Sequence, residues 1–221
     1  MNNVLLIFIN IIVTFSMVIL IEKIFKKEGL YVWTAIALIM ANILECQTVG
    51  LFNGFTSTCG NVLFASVFLA TDIMSEKYLV KDSRKAILMA VFSQGVFILM
   101  MQLANLYTPS SVDLSSDVMK KLFSINLRVS ISSICMFLIS NMFDIYLFEK
   151  IKNKYPNKLW LRNNVATILS NSLENFFFLT FAFIGIYSFN TIIGIAITGS
   201  ILETIIAICD TPFIYLSKKL K

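Results

Sequence analysis

Residues 4–25 read VLLIFINIIVTFSMVILIEKIF, twenty-two positions without proline, glycine or any charge before Glu22. Roughly 20 apolar residues cross the hydrocarbon of a bilayer as a helix, so this stretch predicts a transmembrane span. It follows Met1-Asn2-Asn3, with no positive n-region, and is too long for a typical signal-peptide core; a retained span is expected. Working outward, six more stretches of the same kind follow, at Leu30–Val49, Thr58–Tyr78, Ala86–Tyr107, Leu122–Phe148, Asn164–Phe189 and Thr191–Ser217. Only the region around Ser188-Phe189-Asn190 separates the last two. With 57% hydrophobic and 14% charged residues and a mean hydropathy of +0.81, the chain carries more apolar surface than a soluble core of its size can bury.

The charges between the spans set an orientation. The segments after spans one, three, five and seven hold Lys23, Lys26 and Lys27; Lys77, Lys81, Arg84 and Lys85; Lys150, Lys152, Lys154, Lys158 and Arg162; and Lys218, Lys219 and Lys221. The opposite side has Lys120 and Lys121, and Arg128 lies inside span five. Positive loops stay cytoplasmic, which places the N-terminus outside and the C-terminus inside. The fold class read from the sequence is therefore an all-α polytopic bundle of about seven spans, one integral membrane domain over residues 1–221. Topology accounts for the net charge of +5 and leaves a nucleic-acid partner without support; the surrounding partners are membrane lipids.

Several chemistries are excluded at once. The chain has no histidine, no GxxxxGK[ST] phosphate loop and no CxxC spacing; Cys46, Cys59, Cys135 and Cys209 read as small packing residues. No cofactor or resident metal is expected.

With direction fixed, a rise of about 1.5 Å per residue gives each polar side chain a depth. Glu174 and Glu203 fall near the midplane, with Asn42, Asn171 and Asn175 at similar depth. Asp72 and Asp144 sit about one turn inside the cytoplasmic boundary. A charge at the centre of a membrane helix costs roughly 2.5–3.5 kcal/mol even on the lenient scale, so such groups need a partner, water or a ligand. Glu45, Asp72, Asp144, Glu174, Glu203 and Asp210 are the acids inside the spans, against the single base Arg128. Bland roles compete with functional ones. Glu22, Glu76 and Glu149 each precede a Lys and read as interfacial anchors; Asp72 reads equally as a partner of Lys77 or Arg84, and Asp210 as a cap for backbone freed by Pro212. Asn171, Glu174 and Asn175 are spaced i, i+3, i+4 and share one face, followed by Phe176, Phe177 and Phe178, of which one is expected to flank a flat ligand. A carboxylate with adjacent amides suits a guanine-like edge, and aromatic rings suit its face.

The segments Asn42-Ile-Leu, Phe64-Ala-Ser-Val-Phe-Leu-Ala-Thr-Asp72-Ile-Met-Ser-Glu76-Lys-Tyr78, Leu159-Trp-Leu-Arg162-Asn163-Asn164 and Asp210-Thr-Pro-Phe-Ile-Tyr215 resemble, in order, the vitamin-uptake-type family of queuosine precursor transporters. The likeness runs from about residue 35 to 217. On it, residues 30–221 are the six-helix core and residues 1–29 an additional N-terminal helix, and Asn42, Asp72, Asp144 and Arg162 match the family pattern. The resemblance implies a bacterial inner-membrane carrier, not an enzyme, for 7-deazaguanine bases such as preQ0, preQ1 or queuine. The candidate substrate-binding set is Glu174, Asn171, Asn175, Asn42, Glu203, Asp72 and Asp144.

Departures from the family pattern make this chain more acidic. Ser170-Asn171-Ser-Leu-Glu174 replaces Ser-Gln-x-x-Asp, Glu203 stands where many members carry Lys, Gln47 where Lys is common, and Tyr78-Leu79 replaces Tyr-Gly. The expectation is a preference for precursors bearing an amine, carried by uniport or proton coupling. Two rivals stay open at this point: a Mg-dependent intramembrane prenyl- or phosphatidyl-transferase built on Asp72/Glu76 and Asp144/Glu149, and a binding subunit that needs a separate energising module. The similar strings after Asp72 and Asp144, on spans that run the same way, hint at an internal duplication.

Overall fold

A computed structural model describes residues 2–45, 47–50, 56–123, 127–185 and 188–220; Cys46 and the side chain of Arg128 lie outside the described residues. The described chain is helical apart from one short hairpin: α1 Asn3–Leu44, β1 Thr48–Gly50, β2 Thr56–Thr58, α2 Asn61–Lys77, α3 Val80–Ala104, α4 Ser116–Phe123, α5 Leu127–Lys154, α6 Leu159–Phe183 and α7 Phe189–Lys219. β1 and β2 pair antiparallel, Val49 opposite Ser57.

The first helix holds two of the expected spans. Lys26 leaves helical geometry at φ 55, ψ −140, and the two arms of α1 fold back on one another there. Asn3 Nδ2 donates to the Gly50 carbonyl at 2.6 Å, so the start of α1 lies beside the hairpin that follows its end. Gly29 makes the reversal possible, since a Cβ there would sit 2.7 Å from the Ile21 carbonyl oxygen.

Among the described residues, four helices are long and apolar enough to cross a membrane: α1, α3, α5 from Ile131, and α7. Their outer faces carry exposed Phe8, Ile12, Phe92, Leu99, Ile139, Ile201 and Ile208, the reverse of a soluble surface. The chain is a multi-pass membrane protein. α2 and α6 are of a different kind. α2 runs through the centre, packed by α1, α3, α5 and α7, and is buried from Val62 to Ser75 except at Phe64. α6 packs along α5 and α7 and buries Arg162, Asn163, Thr167, Ser170 and Asn171. The interior of the bundle is thus polar along α6 and at Ser66, Thr71, Asp72 and Ser75 of α2, and apolar along the rest of α2 and where α1 meets α7, with Phe15 edge-on to Phe213 at 5.4 Å between ring centres.

Helix ends differ from the hydropathy boundaries in a consistent way. α3 begins at Val80, six residues before its apolar stretch, α5 runs on to Lys154, and α6 begins at Leu159. Backbone hydrogen bonding continues beyond the point where side chains turn charged, because interfacial water solvates Lys and Arg without breaking the helix. The amphipathic α4 and the hairpin, too short for any span-length window, are additions to the sequence reading. The basic segments do gather at one end: Lys77 meets Glu22 and the carbonyls of Ser217 and Leu220, and Glu76 meets Arg162, Lys152 and Lys218. The hairpin and α4 lie at the other.

Candidate functional site

A cavity of about 370 Å³ opens between α1, α2, α3, α5, α6 and α7 toward the hairpin end, within the range of small-molecule sites. Five of the seven candidate residues line it: Asn42, Asn171, Glu174, Asn175 and Glu203. The i, i+3, i+4 face of α6 supplies three of them. Glu174 accepts from the Ser140 hydroxyl at 2.6 Å, and Asn175 donates to Glu203 at 2.7 Å across to α7. Asn42 donates to its own helix at Leu38, and its amide oxygen faces Ser133.

Glu45 completes an acidic wall that the sequence left incomplete. It lines the cavity, accepts from Thr58 at 2.9 Å, and approaches both Glu174 and Glu203 closely enough to repel them. Three carboxylates therefore face one space, and no Lys or Arg is among the described lining residues. Gln94 and Asn171 are buried there with amide oxygens that accept no hydrogen bond. Buried amides without partners mark places for a ligand or water. The sequence reading counts Glu45 among the acids inside the spans but not in the candidate binding set, because it adjoins a span end, and it does not single out Gln94, an isolated amide on α3.

Phenylalanines form the rest of the wall: Phe64 and Phe68 from α2, Phe97 from α3, Phe123 from α4, and Phe178 and Phe183 from α6. Of the Phe176-Phe177-Phe178 run, only Phe178 turns inward; Phe177 is exposed and Phe176 lines a separate groove on the outer face with α7 residues.

Asp72 and Asp144 do not line the cavity. They lie against each other one layer deeper, with Asp210 and Arg162 nearby, all at most 1% exposed. Asn163 donates to Asp210, so Asp210 serves a side chain of α6 in addition to standing two residues before Pro212. Lys77 is committed to Glu22 at 2.6 Å, which removes it as the partner of Asp72.

Two interfacial acids hold more than anchors do. Glu22 is 1% exposed and accepts from Lys77, Tyr78 and Ser217. Glu76 takes Arg162 at 2.5 Å and Lys218 at 2.6 Å, with Lys152 at 3.7 Å. The lysine that follows Glu76 in sequence, Lys77, goes to Glu22 instead, and only the packing of α1 and α7 against α2, with Arg162 reaching across from α6, reveals the real partners. A carboxylate already holding three cations is a poor magnesium ligand, which weighs against the transferase reading of Asp72/Glu76.

Residues 58–217 match the family described as "Putative vitamin uptake transporter". Over 221 residues, 99% of this chain, it is 34% identical to the "Probable queuosine precursor transporter" of Bacillus subtilis strain 168, of which 96% is covered. No solved structure matches the chain.

Proposed function

This chain belongs to the vitamin uptake transporter family, and from that premise we propose that it imports queuosine precursors, the 7-deazaguanine bases, across the bacterial inner membrane. Seven spans, with the basic end in the cytoplasm, complete the proposal: the two arms of α1, then α2, α3, α5, α6 and α7. The name borne by the Bacillus subtilis relative over nearly all of both chains supports the substrate class.

The observation that carries the reading is the cavity itself: three carboxylates, five amides and six phenylalanines among its described lining residues, around about 370 Å³. A flat, amide-like bicycle offers N–H groups to Glu174 and Glu203, exchanges hydrogen bonds with Asn171, Asn175 and Gln94, and stacks against Phe64 or Phe178. Rings supply area and carboxylates supply register. The acid excess favours a cationic side arm, as on preQ1, because a charged amine replaces repulsion among Glu45, Glu174 and Glu203 with charge-assisted hydrogen bonds. Inward movement of that cation gains roughly 2.3 kcal/mol per 100 mV, about fiftyfold accumulation, without an ATPase.

Uptake by a strain that lacks its own carrier, supplied with this gene alone, tests the reading. Amine-bearing preQ1 restores tRNA queuosine, and Glu174→Gln lowers that rescue at least tenfold; equal rescue by uncharged preQ0 counts against the acidic wall as a selector.

A further inference from the structure

Below the cavity lies a group of polar side chains that substrate contact does not use. Asp72 of α2 and Asp144 of α5 are wholly buried and lie against each other. None of their four carboxyl oxygens accepts a well-formed hydrogen bond, and neither do the second oxygen of Asp210 and the amide oxygens of Asn141 and Asn163. The Thr167 and Ser170 hydroxyls of α6, also wholly buried, are directed at Asp144 and are likewise without a well-formed partner.

Such a cluster is unexplained by structural hydrogen bonding alone, because oxygen acceptors outnumber donors. Two carboxyl groups in direct contact form a hydrogen bond only with a proton between them. Among the described residues no group of three or more acids, Cys or His is arranged to hold a metal ion, which favours the proton over a metal.

The cluster is also joined to the cavity. On α5, Ser140 precedes Asp144 by four residues and donates to Glu174. On α6, Ser170 precedes Glu174 by four. Residues four apart share a helix face, so the acid that faces substrate stands one turn, about 6 Å, from the carboxyl pair on both helices.

Resting on the import reading, we propose that Asp72 and Asp144 form a proton-binding site, one turn from the substrate cavity, through which inward substrate movement is coupled to proton movement. A proton arriving from the hairpin side converts a carboxylate of the pair to the acid and leaves to water at the basic end; nothing is oxidised or reduced. The charged or titratable groups facing the pair are Asp210 from α7 and Arg162 from α6. Glu76, the next acid along α2, is engaged by Arg162. On α1 and α3, Glu22 and Asp82 are taken by Lys77 and by Tyr31 and Lys27.

The test uses the full-length protein in liposomes with labelled preQ1 and the membrane potential clamped at zero. With the outside more acid by one pH unit, one proton per substrate gives about tenfold accumulation; passive trapping of a weak base would drive it the other way. Asp144→Asn and Asp72→Asn lose this accumulation yet still exchange internal for external preQ1, which shows that they are folded and bind. Undiminished pH-driven accumulation in both variants, accumulation that follows a sodium gradient, or wild-type uptake indifferent to pH overturns the proton site and leaves import standing. If the wild type carries no base at all, import fails, and the infrared carboxylic-acid band of the purified protein decides the proton site. Its loss in Asp144→Asn supports a shared proton, and its absence from the wild type overturns it.

Discussion

Arg162 shows how much a single residue holds at the basic end. It is 1% exposed, donates to the Pro156 carbonyl and to Glu76, and stacks its guanidinium over Phe148 at 5.5 Å. Removing one partner of a buried ion pair costs about 3–5 kcal/mol, since the remaining charge is left without compensation. Glu76→Gln accordingly lowers the detergent-solubilised melting temperature by several degrees, and Lys218→Gln, whose side chain is half exposed, changes it little. Equal shifts in the two variants would refute the distinction between buried and exposed partners. At this scale the sequence exposed Arg162 as a family-matching position but not its partner, which lies 86 residues away on another helix.

Among the elements, the α1 reversal and α4 rest on local geometry. Gly29→Ala sets a Cβ 2.7 Å from the Ile21 carbonyl and 2.9 Å from the Phe25 Cβ. Because one of these is backbone, the arms of α1 must part, at about 1–3 kcal/mol; thermal unfolding of the variant measures it. α4 is led in by Asp113, which accepts from the backbone N–H and the hydroxyl of both Ser115 and Ser116. These donors, the Ser116 hydroxyl foremost, hold the Asp113 carboxyl down at about 2. A depressed carboxylate stabilises the fold above its unfolded value, about 3.9, and loses that contribution as pH falls through about 2. Protection of the Ser115 and Ser116 amides from hydrogen exchange, corrected for intrinsic rate, therefore falls between pH 4 and 2, and Asp113→Ala removes the pH dependence. α4 matters to function because its Phe123 closes one wall of the cavity and is tied to α3 through Gln102.

For the whole molecule, the spatial gathering of basic segments makes orientation testable. Ser111 and Asn157 are both exposed, one in the loop before α4 and one between α5 and α6. With the N-terminus outside, Ser111→Cys reacts with an impermeant maleimide in intact cells, and Asn157→Cys reacts only after permeabilisation. The reverse pattern would invert the topology. The cavity faces the hairpin end while the Glu22 and Glu76 networks tie the basic end together, so if the labelling places the basic end inside, the arrangement is that of a carrier open or occluded toward the outside.

Hydrophobic length and the alternation of Lys and Arg were enough to read the helical class, the membrane setting and the shared face of Asn171, Glu174 and Asn175, because each depends on neighbours within a few residues of one helix. Lateral packing decided the rest. Which helix lies beside which is invisible to periodicity, so only the folded bundle brought Glu45 beside Glu174 and Glu203, set Asp72 against Asp144 away from the cavity, and gave Glu22 and Glu76 partners as far as 195 residues along the chain. In a low-dielectric interior those cross-helix distances, not the acids' positions in sequence, determine which charges meet a substrate and which meet each other.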